Sequence, residues 1–391
     1  MRAPGISGSL VLFFLAGSQT VTASQAEKGQ LMQTRQTRQP RPQRNGFSLL
    51  ELVVVLFVIA LLVALTLPVQ EHARASSRKL SCLNNMRNIG LAMVNFSSGA
   101  NSELPLLVDP NQRVSSDEAP NANASHDDLT WCTTLLPFLD NVGFRQRWDA
   151  AANLAAEPST NADAIAQLAA LNAIRFPVFT CPDDESAIDR GALSYVVNIG
   201  YVTANYNKTG VYYDASTGVG HHPAGDGGLD GDPATTDDIP VKFASGVFWR
   251  PFTSRMSLDF ISEGDGISQT LMLSENLQAG SWADQDTGSL GFGIDLQGVY
   301  PSGSTTLKLP AGFDLKNTTN STDSRIGSNL KAKKGQAWRP SSNHPSGAVN
   351  VIFCDGSGKS LSPEIDPLLY ARLLTPAGQR YEQAEVEDGS F

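Results

Sequence analysis

The sequence is poor in the residues that build metal and redox centres. Its 391 residues include four cysteines, Cys82, Cys132, Cys181 and Cys354, and five histidines. No two cysteines form a Cys-x-x-Cys pair, so no zinc-site spacing is present and no metal is expected from it. Charged residues are also few, at 17%, which excludes a disordered chain of high net charge. There is no phosphate-cradling glycine loop ahead of a helix and no Gly-x-Ser-x-Gly elbow. Basic residues are the minority sign, 29 against 39 acidic, for a net charge of −10. Residues 1–46 hold six of the basic ones (Arg2, Lys28, Arg35, Arg38, Arg41, Arg44) and one acid, Glu27, so the remainder carries −15. A domain that acidic repels phosphate, and no nucleic-acid partner is expected.

What is present is apolar material in one long run. Hydrophobic residues make up 41% of the chain, enough for a core in one large domain or two modest ones, and 34 glycines and 22 prolines announce many turns. From Phe47 to Leu67 only Ser48, Glu51 and Thr66 are polar among 21 residues. As a helix this run spans roughly 30 Å, the hydrocarbon thickness of a bilayer. A secretory signal is shorter and ends at a small residue. Here the small residue, Gly46, precedes the run, so a cut there removes the leader and keeps the helix. Arg35, Arg38, Arg41 and Arg44 hold that end on the cytoplasmic side and send everything after Pro68 outward. An even cysteine count on that side favours disulfides.

Glu51 is the odd residue of the run. An acid within a membrane helix costs about 2.5–3.5 kcal/mol on insertion scales. Cleavage after Gly46 creates an ammonium at Phe47, one turn away or on a neighbouring subunit, that can pair with it.

The segment Gly46-Phe-Ser-Leu-Leu-Glu51, its apolar continuation and Pro68 resemble the prepilin N-terminus shared by type IV pilins and type II secretion pseudopilins. The resemblance covers residues 41–68. It implies a cut after Gly46, methylation of Phe47, and an assembly role for Glu51. The partners it implies are a prepilin peptidase/methylase, other pilin-like subunits and the lipid bilayer. It places the chain in the cell inner membrane, crossing once, with the head periplasmic or extracellular. The leader of 46 residues is long for this family and contains a short apolar stretch, Leu10–Ala16. A start at Met32 leaves 15 residues with four arginines and no acid, and is the expected true start.

Beyond Pro68 the helical pattern continues to about Ser98, with Leu80, Leu83, Met86, Gly90 and Met93 on one stripe. Pro68 is a place for a kink. Residues 99–128 read as a polar loop, Trp131–Leu139 as a buried segment, and 150–174 as helical with Ala164, Leu168 and Leu171 inward. Strands are expected at Phe176–Pro182, Tyr195–Tyr201, Val247–Trp249, Leu271–Leu273 and Val349–Phe353, the last running into an Asp355-Gly356 hairpin turn. Residues 301–336 read as loop. Residues 214–239 form a surface insertion whose Asp226, Asp230 and Asp232 are weak calcium candidates, because their spacing is not that of an EF-hand. His221 and His222 beside them lack further ligands.

The head is similar to a large domain of unknown function that often follows prepilin N-termini. Cys82-Leu-Asn-Asn-Met-Arg-Asn-Ile-Gly-Leu-Ala92 matches its late-helix pattern. Phe179-Thr-Cys-Pro-Asp-Asp184 matches a Phe-x-Cys-Pro-x-Asp element, and Asp265–Glu275 an Asp-Gly-x-Ser-x-Thr-Leu element ending in Glu. His344 through Asp355-Gly356 matches a His-x9-Asp-Gly motif with one extra residue, for which a β-bulge is the expected accommodation. The resemblance carries no established activity. It implies a Cys82–Cys181 disulfide, with Cys132 and Cys354 left as a second pair among the three pairings four cysteines allow.

The fold expected is α+β and pilin-like: leader 1–46, membrane helix 47–67, exported helix 68–98, and a head over 99–391, mainly antiparallel with long loops. No enzyme is expected. His344 and Asp355 lie near Ser341, Ser342 and Ser346, but a loop-capping role suits His344 better than a Ser–His–Asp triad. The leading reading is a subunit of a type IV pilus or type II secretion-like filament. The alternative is an anchored surface module that binds glycan, protein or calcium and does not polymerise.

Overall fold

The computed structural model of the chain describes residues 46–109, 129–155, 162–202, 212–214, 219–221, 245–248, 255–295, 309, 312–316, 323–337, 339–384 and 386. Only the backbone is described for 65–73, 202, 212–214, 219–221, 295 and 381. The chain divides into two compact units, residues 1–61 and 62–391. Helix α1, Leu49–Gly99, contributes its first residues to one and the rest to the other.

In the first unit, Ser48 starts the helix. Its Oγ accepts the backbone N–H of Glu51 at 3.2 Å, and Glu51 lies in the first turn, where the helix dipole favours an acid. Every large apolar side chain from Phe47 to Leu62 is exposed, Phe47 by 80%. The expected span 47–67 runs into residues whose side chains lie outside the described ones. Among the described residues no helix is long and apolar enough to cross a membrane. The helix assignment continues through Pro68.

The second unit is built on a five-stranded sheet. Its strands are β3 (Tyr195–Val202), β6 (Leu271–Glu275), β7 (Gly291–Asp295), β8 (Val349–Phe353) and β9 (Gly358–Leu361), in the order β7-β3-β6-β8-β9. The β7–β3 pair is parallel and the other three pairs are antiparallel. β-Branched and aromatic side chains dominate Tyr-Val-Val-Asn-Ile-Gly-Tyr-Val and Val-Asn-Val-Ile-Phe, as suits pleated, buried strands. Both β6 and β8 are buried along their whole length, so the sheet is covered on both faces. Two short ladders stand apart, β1 (Val108–Asp109) with β2 (Leu129–Thr130), and β4 (Tyr212–Asp214) with β5 (Val219–His221).

One cover is the C-terminal half of α1. Cys82, Met86, Ile89, Ala92 and Met93 are buried there, and Leu83 is half-buried. A Cβ on Gly90 would stand 3.0 Å from Ile352 Cγ2 and 3.5 Å from Met272 Cε, so glycine lets the helix lie close to the sheet. Leu80, expected on the inward stripe, is instead 60% exposed. Helix α7 (Pro367–Leu374), capped by Asp366 with Pro367 at its first position, packs on β3 and β6. Asn198 Nδ2 donates to the Leu374 carbonyl at 2.7 Å.

Several expected elements take another form. Phe176–Pro182 is a 3-10 turn at Pro177–Phe179, because Pro177 has no N–H for a ladder. Val247 and Phe248 are buried but form no strand; both backbone N–H groups donate to the Asn198 carbonyl at the bulge in β3. Trp131–Leu139 becomes a short helix, α2 (Trp131–Leu135), and a 3-10 turn. The alanine-rich stretch is two helices, α3 (Val142–Ala155) and α4 (Ala162–Asn172), with Ala164 and Leu168 buried and Leu171 half-buried. Helices α5 (Leu258–Glu263) and α6 (Thr287–Leu290) complete the described set. Strand β7 has no counterpart among the expected strands. The expected bulge within 344–355 is absent. The β6–β8 register shifts between Leu271 and Leu273, so the extra residue sits in β6. The hairpin β8–β9 turns at Asp355-Gly356, with Gly356 at φ +81°. Asp226, Asp230, Asp232 and His222 lie outside the described residues, as does the side chain of His221.

Candidate functional site

Four distant segments meet where α1 crosses the sheet. Cys82 of α1 is joined to Cys181, 99 residues later, with Cα atoms 4.8 Å apart. Around this bridge the helix is held by polar ties. Asn85 Nδ2 donates to the Pro177 and Thr180 carbonyls, each at 3.1 Å. Arg78 Nε donates to Asp183 Oδ1 at 2.6 Å. The Lys79 carbonyl accepts from Asn350 Nδ2 at 3.3 Å. These ties all come from one stretch of helix and reach the 177–183 turn and strand β8.

At the centre lies His344, its side chain fully buried. Nδ1 is 2.9 Å from Asp183 Oδ2 and Nε2 is 3.0 Å from Glu275 Oε1. Glu275, the last residue of β6, is fixed in turn by Asn350. The backbone N–H of Asn350 donates to Oε2 at 2.7 Å and its side-chain amide to Oε1 at 3.0 Å. Burial alone would lower the His344 pKa. The hydrogen bonds and charges of Glu275, and then of Asp183, outweigh burial and hold it above the ordinary histidine range. A protonated imidazole donates from both nitrogens, one to each carboxylate.

The neighbouring motif residues serve the scaffold. Asp184 accepts from Ser186 N–H, Ser186 Oγ and Ser194 Oγ. Asp265 accepts from Thr375 Oγ1 and from the backbone N–H groups of Gly378 and Gln379, which ties the C-terminal segment to the turn ahead of β6. Asp355 is exposed and accepts from Ser357 N–H at 2.8 Å, so it never meets His344. His344 does close a turn, its carbonyl accepting from Gly347 N–H at 2.7 Å, while its ring faces the carboxylates.

The serine hydroxyls near His344 serve the local backbone and other side chains, Ser342 Oγ accepting the His344 backbone N–H at 3.3 Å. Ser342 Oγ donates to the Ala348 carbonyl, and Ser341 Oγ accepts from Leu277 N–H and lies beside Asn276, Gln278 and Arg339. Arg339 is almost wholly buried, and burial lowers its pKa to about 10. Cys132 and Cys354 are separate buried thiols in α2 and in the β8–β9 turn, a correction to the expected second bridge. Burial pushes both thiols well above their ordinary pKa.

Sequence reasoning missed Asp183, Arg78 and Asn350. Asp183 stands at the variable position of the Phe-x-Cys-Pro-x-Asp element, so pattern matching pointed to Asp184 instead. Glu275 was visible only as the end of a motif, with no partner assigned.

Comparison with known families gives two matches. A family model described as "Protein of unknown function (DUF1559)" matches residues 71–368. A model described as "Prokaryotic N-terminal methylation motif" matches residues 41–67. No curated protein and no solved structure matches the chain. The family match takes in all four segments that meet at His344.

Proposed function

The chain belongs to the family of proteins of unknown function (DUF1559), with a prepilin-type N-terminus, and from that premise we propose that it is a pilin- or pseudopilin-like subunit. A prepilin peptidase cuts after Gly46, and Phe47 becomes the methylated N-terminus. The helix from Phe47 anchors the subunit in the inner membrane, and the domain from about residue 71 works on the outer side. Glu51 then pairs with the new ammonium of its own or a neighbouring chain as subunits join a type IV pilus or type II secretion-like filament.

The observation that carries this reading is the match to the methylation motif over residues 41–67, a span that contains Gly46, Phe47 and Glu51. The exposed apolar surface from Phe47 to Leu62 is consistent with it, because such a surface needs lipid or a partner to cover it. We assign the second unit no reaction. Both ring nitrogens of its buried histidine face carboxylates, which suits a structural tie between α1 and the head.

The test is N-terminal sequencing and intact mass of the membrane-purified protein, followed by capture of pilin-like partners. A start at Phe47, heavier by one methyl group, with co-purifying pilin-like subunits is the expected result. An uncut N-terminus, or a processed chain that stays monomeric, would favour the anchored binding module.

A further inference from the structure

The Cys82–Cys181 bridge does not stand alone. Its two sulfurs, a carboxylate oxygen of Glu275 and a ring nitrogen of His344 all lie within 4.8 Å of one another, and all four residues are buried. Two thiolates, an imidazole and a carboxylate make a tetrahedral donor set of the kind zinc takes. No two of these residues are close in sequence, which is why ligand spacing carried no signal. We propose that this cluster has two states: a disulfide, and, once reduced, a binding site for a divalent transition metal of the zinc class.

The surroundings are already those of a metal site. A metal-bound histidine usually gives its other ring N–H to a carboxylate, which sets the tautomer and the ring orientation. Asp183 Oδ2, 2.9 Å from Nδ1, is placed for that role, and Arg78 steadies Asp183 from the other side. Nε2 then points at the cluster. Glu275 is anchored by Oε2 on the Asn350 backbone N–H, while Oε1, the atom beside Nε2, accepts from the Asn350 side-chain amide at 3.0 Å and would meet the metal through its other lone pair. A small cavity bordered by Cys181, Asp184, Ser194, Glu275 and Ser341 adjoins the bridge.

The conversion needs a reductant, and a dithiol of the thioredoxin class supplies it. Two electrons and two protons pass to the bridge, the S–S bond breaks, two thiols form, and the dithiol becomes a disulfide. Metal binding then releases both thiol protons and any proton on Nε2. The metal would take over the work of the bridge, joining α1 through Cys82 to the 177–183 turn, β6 and the segment before β8. This goes beyond the assembly reading and is independent of it.

The experiment uses the full chain with Cys132→Ala and Cys354→Ala, so that Cys82 and Cys181 are the only thiols. The protein is reduced with a phosphine and titrated with Co²⁺, then with Zn²⁺. The expected result is one Co²⁺ per chain, with tetrahedral visible bands and thiolate-to-cobalt charge transfer, both displaced by Zn²⁺. The disulfide form should bind none. Asp183→Asn should weaken Co²⁺ affinity roughly 10–100-fold while leaving the charge-transfer band in place, as expected of a residue acting through His344. Equal binding by reduced and oxidised protein, absence of the charge-transfer band, or an unchanged affinity in Asp183→Asn would overturn the proposal. Should the reduced chain unfold, recovery of its circular dichroism on adding Zn²⁺ supports the site, and no recovery overturns it.

Discussion

Glu275 Oε1 stands 3.0 Å from His344 Nε2 across 69 positions of sequence, and that contact closes a carboxylate–imidazole–carboxylate row in the core. Removing the imidazole leaves two buried carboxylates facing each other with no cation between them. Breaking a buried pair this way costs about 3–5 kcal/mol. His344→Leu is expected to lower stability by that amount in urea unfolding. Arg78→Ala, which removes a half-exposed partner of the same Asp183, should cost only about 0–1 kcal/mol, because solvent screens that pair. Equal losses from the two variants would contradict this ranking.

The same row makes stability depend on pH. With Cys82 and Cys181 joined there is no thiolate for a metal, and His344 titrates as a base. Its folded pKa lies above the unfolded value of about 6.5. The charged groups facing it are Asp183 and Glu275, with Arg78 behind Asp183. The stabilisation it brings is therefore complete below about pH 6.5 and fades as pH rises through the folded pKa. The urea midpoint of the oxidised protein should fall across that window. His344→Gln should flatten this part of the profile.

How much of this was legible depended on distance along the chain. Gly46, Phe47 and Glu51 are nearly adjacent, and their order alone pointed to processing. Met86, Gly90 and Met93 repeat at helical steps, so the inward face of α1 was visible, although Leu80 fell off it because the helix there faces solvent. β7 was invisible because Gly-Phe-Gly-Ile-Asp carries two glycines and has no strand character by itself; parallel pairing with β3 makes it a strand. The His344 row was beyond reach for a different reason. Its members come from α1, the 177–183 turn, β6 and the approach to β8, and only the fold brings them together. The one-residue misfit in the His–Asp-Gly spacing proved immaterial, because Asp355 serves the turn and not the histidine.

The four cysteines should behave as two classes. Cys82–Cys181 closes a loop across a separation of 99 residues, and loss of such a bridge typically costs about 2–5 kcal/mol. Cys82→Ser with Cys181→Ser should show that drop in urea. Cys132 and Cys354 should resist a thiol reagent in the folded protein, since both are buried and burial disfavours their thiolates. Labelling should reach two thiols per chain only after unfolding without reductant. Rapid labelling of the native protein would show that these residues open to solvent.

Gly90 is the sharpest test of how α1 sits on the sheet. Its missing Cβ would meet Ile352 Cγ2 at 3.0 Å, and Met272 Cε lies 3.5 Å away on the other strand. Two effects of Gly90→Ala oppose each other. Alanine is the better helix former by roughly 0.8–1.0 kcal/mol. Overpacking a full core costs about 1–3 kcal/mol. Ile352 is buried in the middle of the sheet and has little room to give way, so the packing term should win and the variant should be destabilised. Pairing it with Ile352→Val removes a methyl group from the contact and should recover part of the loss. If Gly90→Ala proves stabilising, the helix stands further from β6 and β8 than these distances state. If Ile352→Val fails to rescue it, the strain lies elsewhere along α1.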